Sequence, residues 1–204
     1  MTSVSGASTP TRFIIVATQR TGSTWLVDKL NSHPGIAAYE ELFLAQEAHH
    51  GTWGREDKEF FYAYYARRAR RPWPPARVLW SLRYLEEVYS TPSTEAVGLK
   101  LMYGQLRAYP WLLAYLPVRR VRVVHLVRTN LLDVILSRKT AEARRQYHAR
   151  ASDSVDHIAV HLEAEQLVSQ LESLQGSVDT IRRLLRLLPT PSLETSYERL
   201  TTSE

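Results

Sequence analysis

The strongest constraint on what this chain can fold into is a strand–loop–helix signature close to its start. Phe13-Ile14-Ile15-Val16-Ala17 is a short apolar run rich in β-branched residues, as expected of a buried strand. The polar segment Thr18-Gln19-Arg20-Thr21-Gly22-Ser23-Thr24-Trp25 follows, and Leu26-Val27-Asp28-Lys29-Leu30 then puts apolar residues on one face of a helix. A helix start carries backbone N–H groups with no intrahelical partner, at the positive end of the helix dipole. That geometry suits an anion, most often a phosphate. Gly22 lets the backbone approach such a ligand, Arg20 adds a cation, and Thr21, Ser23 and Thr24 add hydroxyls.

The nucleotide-binding P-loop reads G-x-x-x-x-G-K-[ST]. The present loop departs from it, with one glycine, no lysine after it and no evident acidic strand end for Mg²⁺. The run Arg20 to Thr24 resembles instead the 5′-phosphosulfate loop of sulfotransferases that use PAPS (3′-phosphoadenosine 5′-phosphosulfate). The carbohydrate-modifying and bacterial branches of that family carry Arg-[ST]-Gly-[ST]-[ST] at this place. Taken alone, the same residues would also suit a polar β–α turn without a ligand.

A second constellation supports the first. Val121-Arg122-Val123-Val124-His125-Leu126-Val127 is nearly all apolar, as in a strand of a parallel sheet covered on both faces. It ends in Arg128-Thr129-Asn130, and a helix with Ser137-Arg138-Lys139 near its middle follows. Arg128 at the strand end and Ser137 on the helix can converge at the carboxyl edge of the sheet, where open α/β sheets bind ligands. The stretch Leu126 to Arg138 resembles the bacterial carbohydrate branch, and the resemblance implies that Arg128 and Ser137 hold the 3′-phosphate of PAPS. Between the loops, Ile36 to Tyr39 reads as a short strand, and Glu40-Glu41-Leu42-Phe43 follows it. This segment resembles that of trehalose sulfotransferases, in which the residue matching Glu41 is the proposed base.

The remaining segments are read more coarsely. Phe60 to Tyr65 is an aromatic cluster suited to a core or an interface. Arg67 to Arg71 reads as a solvated helix end, with nucleic-acid binding the weaker alternative, and Pro72 to Pro75 should stop the helix. Val78 to Tyr89 has apolar residues at helical spacing; Ala96 to Tyr103 reads as a strand and Gln105 to Leu116 as one helix. Lys100 interrupts that strand, and the resemblance associates it with the acceptor or phosphosulfate region. Ser154 to Leu188 is a long amphipathic pattern that Gly176 should divide or kink, with Pro189 and Pro191 ending it. Leu193 to Leu200 resembles the family's last core strand and the Ser-Tyr-Glu-x-Leu after it. Related enzymes continue beyond that strand, so a chain ending at Glu204 is expected to be C-terminally short.

The fold expected is therefore α/β: a P-loop-like parallel β-sheet flanked by helices, in a single domain over residues 12–204 after a disordered lead-in at 1–11. The formal net charge of +5, almost all from arginine, favours anionic partners. There is no cysteine, so disulfides and thiolate metal sites are excluded. No apolar run approaches the roughly 20 residues of a membrane span, and the first ten residues do not read as a signal peptide, so a cytoplasmic location is expected. The resemblance implies a PAPS-dependent sulfotransferase that needs no metal. Its cofactor-binding residues would be Arg20, Thr21, Gly22, Ser23, Thr24, Trp25, Arg128 and Ser137, with Arg20 and Glu41 catalytic. PAP (the desulfated product) and a hydroxyl-bearing acceptor, favoured as a sugar, are its ligands, and a homodimer its expected assembly. The rival readings are a kinase-like nucleotide phosphotransferase and a non-catalytic PAP-binding relative. The alternatives to Glu41 as base are His125, expected to pack inside its strand, and His148.

Overall fold

The computed structural model describes residues 9–45, 58–69, 74–90, 94–144 and 162–202. Among the described residues five strands form one sheet: β1 (Thr11–Ala17), β2 (Ile36–Tyr39), β3 (Ala96–Met102), β4 (Arg122–Val127) and β5 (Ser192–Ser196). Every pairing is parallel and the order is β2-β3-β1-β4-β5. Eight helices among the described residues connect and cover them: α1 (Ser23–Asn31), α2 (Phe61–Arg68), α3 (Pro74–Tyr89), α4 (Tyr103–Ala108), α5 (Leu112–Val118), α6 (Leu131–Arg144), α7 (Ala164–Leu187) and α8 (Tyr197–Thr201).

The alternation of β1 and β4 divides the core between two faces. Ile14, Val16, Val123 and Val127 join Leu99, Leu101, Tyr84, Leu85, Val178 and Ile181 in the larger cluster, under α3 and α7. Phe13, Ile15, Ala17 and Leu126 face the other way, towards Val27 of α1. Gly98 is required there, because a Cβ would overlap the Phe13 ring. The aromatic cluster serves the core: Phe61 and Tyr64 are buried against Phe43 and Tyr84.

α2 stops at Arg68, ahead of the prolines, and Pro74 and Pro75 then open α3, as proline can at a first turn where no N–H bond is needed. Two boundary expectations are corrected. The helix expected over Gln105 to Leu116 is two, α4 and α5, separated at Tyr109-Pro110-Trp111, because proline disfavours helical geometry in the residue before it. Gly176 does not divide α7, which runs unbroken from Ala164 to Leu187. One glycine costs a helix only about 1 kcal/mol, and the buried row Leu174, Val178, Ile181 and Leu185 outweighs that. The lead-in before residue 9, Arg70 and Arg71, and Ser154 to His161 lie outside the described residues.

The sheet order places the site. The chain leaves β1 towards β2 on one side, whereas β4 leads to β5 on the other. The reversal opens a crevice at the carboxyl ends of β1 and β4, the usual ligand position in such sheets.

Candidate active site

The loop after β1 is built on two left-handed residues, Arg20 at φ 65° and Gly22 at φ 77°. Gly22 caps α1 and accepts the Leu26 N–H at 3.0 Å. Only glycine fits here on two counts: left-handed backbone disfavours a side chain, and a Cβ would collide with the ring of Tyr197. Tyr197 in turn meets Trp25 edge-on, with centroids 5.8 Å apart. Thr21 is buried and its hydroxyl donates to the Thr18 carbonyl at 2.8 Å. That bond braces the loop and leaves the hydroxyl proton unavailable to a ligand. Thr24 accepts from Lys100 Nζ at 3.1 Å.

The loop after β4 lies against the first. Arg128 donates from a terminal nitrogen to the Arg20 carbonyl at 3.3 Å. Arg20 Nε donates to Ser137 Oγ at 2.8 Å. Arg20, Arg128 and Ser137 are therefore one assembly although they lie far apart in the chain. Burial, and then the neighbouring Arg128 charge, lower the pKa of Arg20. An anion between the two guanidiniums would supply the countercharge that offsets both influences. Arg128 Nε is buried without a hydrogen-bond partner among the described residues, which also fits a missing acceptor. The site is not purely cationic. Asp133 accepts from Arg128 at 3.1 Å, and Glu198 lies 3.8 Å from Arg128 Nε. Glu198 also accepts the Thr129 and Asn130 N–H groups at 3.1 and 3.3 Å. Burial, the largest influence, pushes the Glu198 carboxyl up, but the backbone donors together hold it below the ordinary carboxylate range.

Beside the first loop is a buried ion cluster. Lys100 on β3 is 1% exposed and forms an ion pair with Glu40, while Glu41 Oε1 lies 3.5 Å from its Nζ. The other Glu41 oxygen accepts from Gln105 Nε2 at 3.0 Å, and Gln105 Oε1 accepts the Met102 N–H at 2.9 Å. Strand alternation predicts that Glu40 and Glu41 point apart. Instead both reach Lys100, because β2 ends at Tyr39 and the chain turns there. Burial raises the Glu40 pKa against the opposing pull of Lys100.

Glu41 also lines a cavity of about 690 Å³, whose wall begins at Thr18 and Gln19 of the first loop and continues along α4, α6 and α7. Tyr103, on this wall, donates its hydroxyl to His125 Nε2 at 2.6 Å; His125 Nδ1 donates to Glu194 at 2.9 Å, and Arg182 holds Glu194 from the far side. The tautomer follows from chemistry, since an ionised carboxylate can only accept. Burial lowers the His125 pKa, with Glu194 opposing it. His125 is thus buried in β4, as its strand position predicts, and both of its nitrogens are engaged. His148 lies outside the described residues.

Residues 11–203 match the model of the sulfotransferase family, and the chain belongs to that family. No curated protein matches the chain at a significant level. Among the described residues no group of three or more His, Asp or Glu side chains is arranged to hold a metal ion, and no helix is long and apolar enough to cross a membrane. Sequence reasoning missed the Glu40–Lys100 pair, the Gln105 contact to Glu41 and the packing of Tyr197 on Gly22. A lysine inside an otherwise apolar strand was the available signal for the first. Nothing local signals the other two.

Proposed function

We propose that the protein transfers the sulfuryl group of PAPS to a hydroxyl of a small acceptor, favoured as a carbohydrate by the resemblance of its loops. One observation carries the reading. Two cationic loops meet at the carboxyl ends of β1 and β4, with Arg20 bonded to Ser137 and Arg128 bonded to the Arg20 carbonyl, beside a cavity that Glu41 lines. The loop over Arg20 to Thr24 would take the 5′-phosphosulfate, and Arg128 with Ser137 the 3′-phosphate. Trp25 stands at the same end of α1 and would lie beside the nucleotide.

In the transfer, the acceptor oxygen forms a bond to sulfur as the bond from sulfur to the phosphate oxygen breaks. Charge gathers on the departing phosphate of PAP. Arg20 and the N–H groups at the start of α1 stabilise it, being fixed beforehand in a partly dry site. Glu41 takes the acceptor's proton. Lys100 and Gln105 each hold one of its oxygens and so fix its orientation. The kinase-like alternative lacks support in the loop, which has no Gly-Lys-[ST] to hold a nucleoside triphosphate and its Mg²⁺.

The test is sulfuryl transfer from labelled PAPS to a panel of sugars, in the parent protein and in Glu41→Gln. The variant should keep its affinity for PAP while turnover falls by about 10²–10⁴-fold, the range of positioned acid–base catalysis. Parent-like turnover in Glu41→Gln would move the base elsewhere. PAP binding without any sulfated product would favour a non-catalytic PAP-binding protein.

A further inference from the structure

The cavity beside Glu41 has a charge balance that the transfer itself does not require. Its lining includes three arginines, Arg77 from α3, Arg107 from α4 and Arg138 from α6, against a single carboxylate, Glu41. None of the three has an ion-pair partner among the described residues. Arg77 is held by neutral groups only, donating to the Tyr109 hydroxyl at 2.7 Å with its guanidinium over that ring. Arg107 has a long contact to Ser177 Oγ at 3.4 Å. Arg138 is half-buried, and its Nε is shielded from water without a hydrogen-bond partner. Arg77 and Arg107 are exposed and can be hydrated, whereas the shielded Nε of Arg138 lacks an acceptor, which is unfavourable. An oxyanion from a ligand supplies the acceptor in the planar, two-pronged geometry that arginine matches best.

The part of the lining that comes from α7 is neutral and hydroxyl-rich. Ser169, Ser173 and Ser177 of α7 follow one another at four-residue intervals and all line the cavity. That spacing puts them in a row along one helix face. A volume of about 690 Å³ is in the usual range for a small-molecule site.

We propose that the acceptor received here is itself an anion, a sugar bearing a carboxylate, sulfate or phosphate group, with its charge on Arg77, Arg107 and Arg138 and its hydroxyls along the α7 serines. This rests on the sulfotransferase reading above and adds the charge class of the acceptor to it. A neutral sugar would leave the three guanidiniums uncompensated, and a cationic acceptor would be repelled by them.

Calorimetry on the PAP-saturated protein tests the proposal with three probes: p-nitrophenyl β-glucoside, its 6-sulfate and p-nitrophenyl β-glucuronide. At least one charged probe should bind about 10–100-fold more tightly than the glucoside, the effect of one or more charge-assisted hydrogen bonds. The advantage should shrink as salt is raised and collapse towards unity in Arg77→Gln/Arg107→Gln. Whether the sulfate or the carboxylate probe binds tighter tells which oxyanion the site prefers. A thermal melt and a PAP titration on the same variant separate a lost fold from a lost site. Equal binding of the three probes, tighter binding of the glucoside, or no binding of either charged probe overturns the proposal. If PAP does not bind the parent protein, the sulfotransferase reading fails and takes this inference with it. If PAP binds and the probes do not differ, only this inference fails.

Discussion

Lys100→Met tests the ion cluster beneath the first loop. The lysine is 1% exposed, so the substitution removes a charge sealed from water and leaves an apolar stem of similar reach. Glu40 then loses its partner in a place where its Oε1 already has no hydrogen bond among the described residues. Breaking one side of a buried ion pair costs about 3–5 kcal/mol. For a chain of this size each kcal/mol moves the melting temperature by about 2–4 °C, so a fall of roughly 6–20 °C is expected. Glu40→Gln should cost less, about 1–3 kcal/mol, because Glu41 at 3.5 Å still faces the lysine. The double variant should be more stable than the sum of the two losses predicts, by about 0.5–3 kcal/mol. Urea unfolding followed by tryptophan fluorescence reads all four proteins. The pH dependence adds a second check. Burial already raises Glu40 in the folded protein, and loss of Lys100 raises it further. Between its unfolded and folded pKa values the folded state binds the extra proton, so the Lys100→Met protein should lose stability as pH rises above the ordinary carboxylate range. A loss below about 1 kcal/mol with no added pH dependence would refute the pairing; the threshold is a third of the low estimate for a broken buried pair.

Gly22→Ala should destabilise by about 1–3 kcal/mol, the usual range for strained backbone, and should weaken PAP binding, since the left-handed backbone and the Tyr197 ring both oppose a Cβ; parent-like melting and affinity would contradict the loop geometry. Burial lowers the His125 pKa, so the unfolded chain takes up a proton near pH 6.5 that the folded protein, with Tyr103, Glu194 and Arg182 around the ring, still refuses. Stability should therefore fall as pH drops below that value, and His125→Gln should flatten the dependence between pH 7 and 5; an unchanged slope in melting experiments would contradict it.

The strands were legible because they are short β-branched runs ended by turn residues. Phe13 to Ala17 lies within β1, and Ile36 to Tyr39 is β2. Both anion loops were legible because a strand followed by a polar loop and a helix is a local pattern. What remained hidden depended on contacts across the fold. Arg20 and Ser137 are 117 residues apart, and nothing in either neighbourhood indicates their bond. Strand alternation does not place Glu40, because it holds only while a strand lasts and β2 ends one residue before it. The cavity arginines could not be grouped at all, since they come from three helices and only packing brings them together.

The central claim is that the paired loops hold a nucleotide phosphorylated at both its 5′ and 3′ positions, and calorimetry of PAP against AMP tests it most directly. Charge-assisted hydrogen bonds to the 3′-phosphate are worth about 1.5–3 kcal/mol each. With Arg128 and Ser137 both engaged, PAP should bind about 10²–10⁴-fold more tightly than AMP. Arg128→Met/Ser137→Ala should remove most of that difference, with AMP losing less than PAP, since Arg20 also loses its contacts to both side chains. Equal affinities for PAP and AMP in the parent protein, or tighter binding of ATP with Mg²⁺ than of PAP, would contradict the claim.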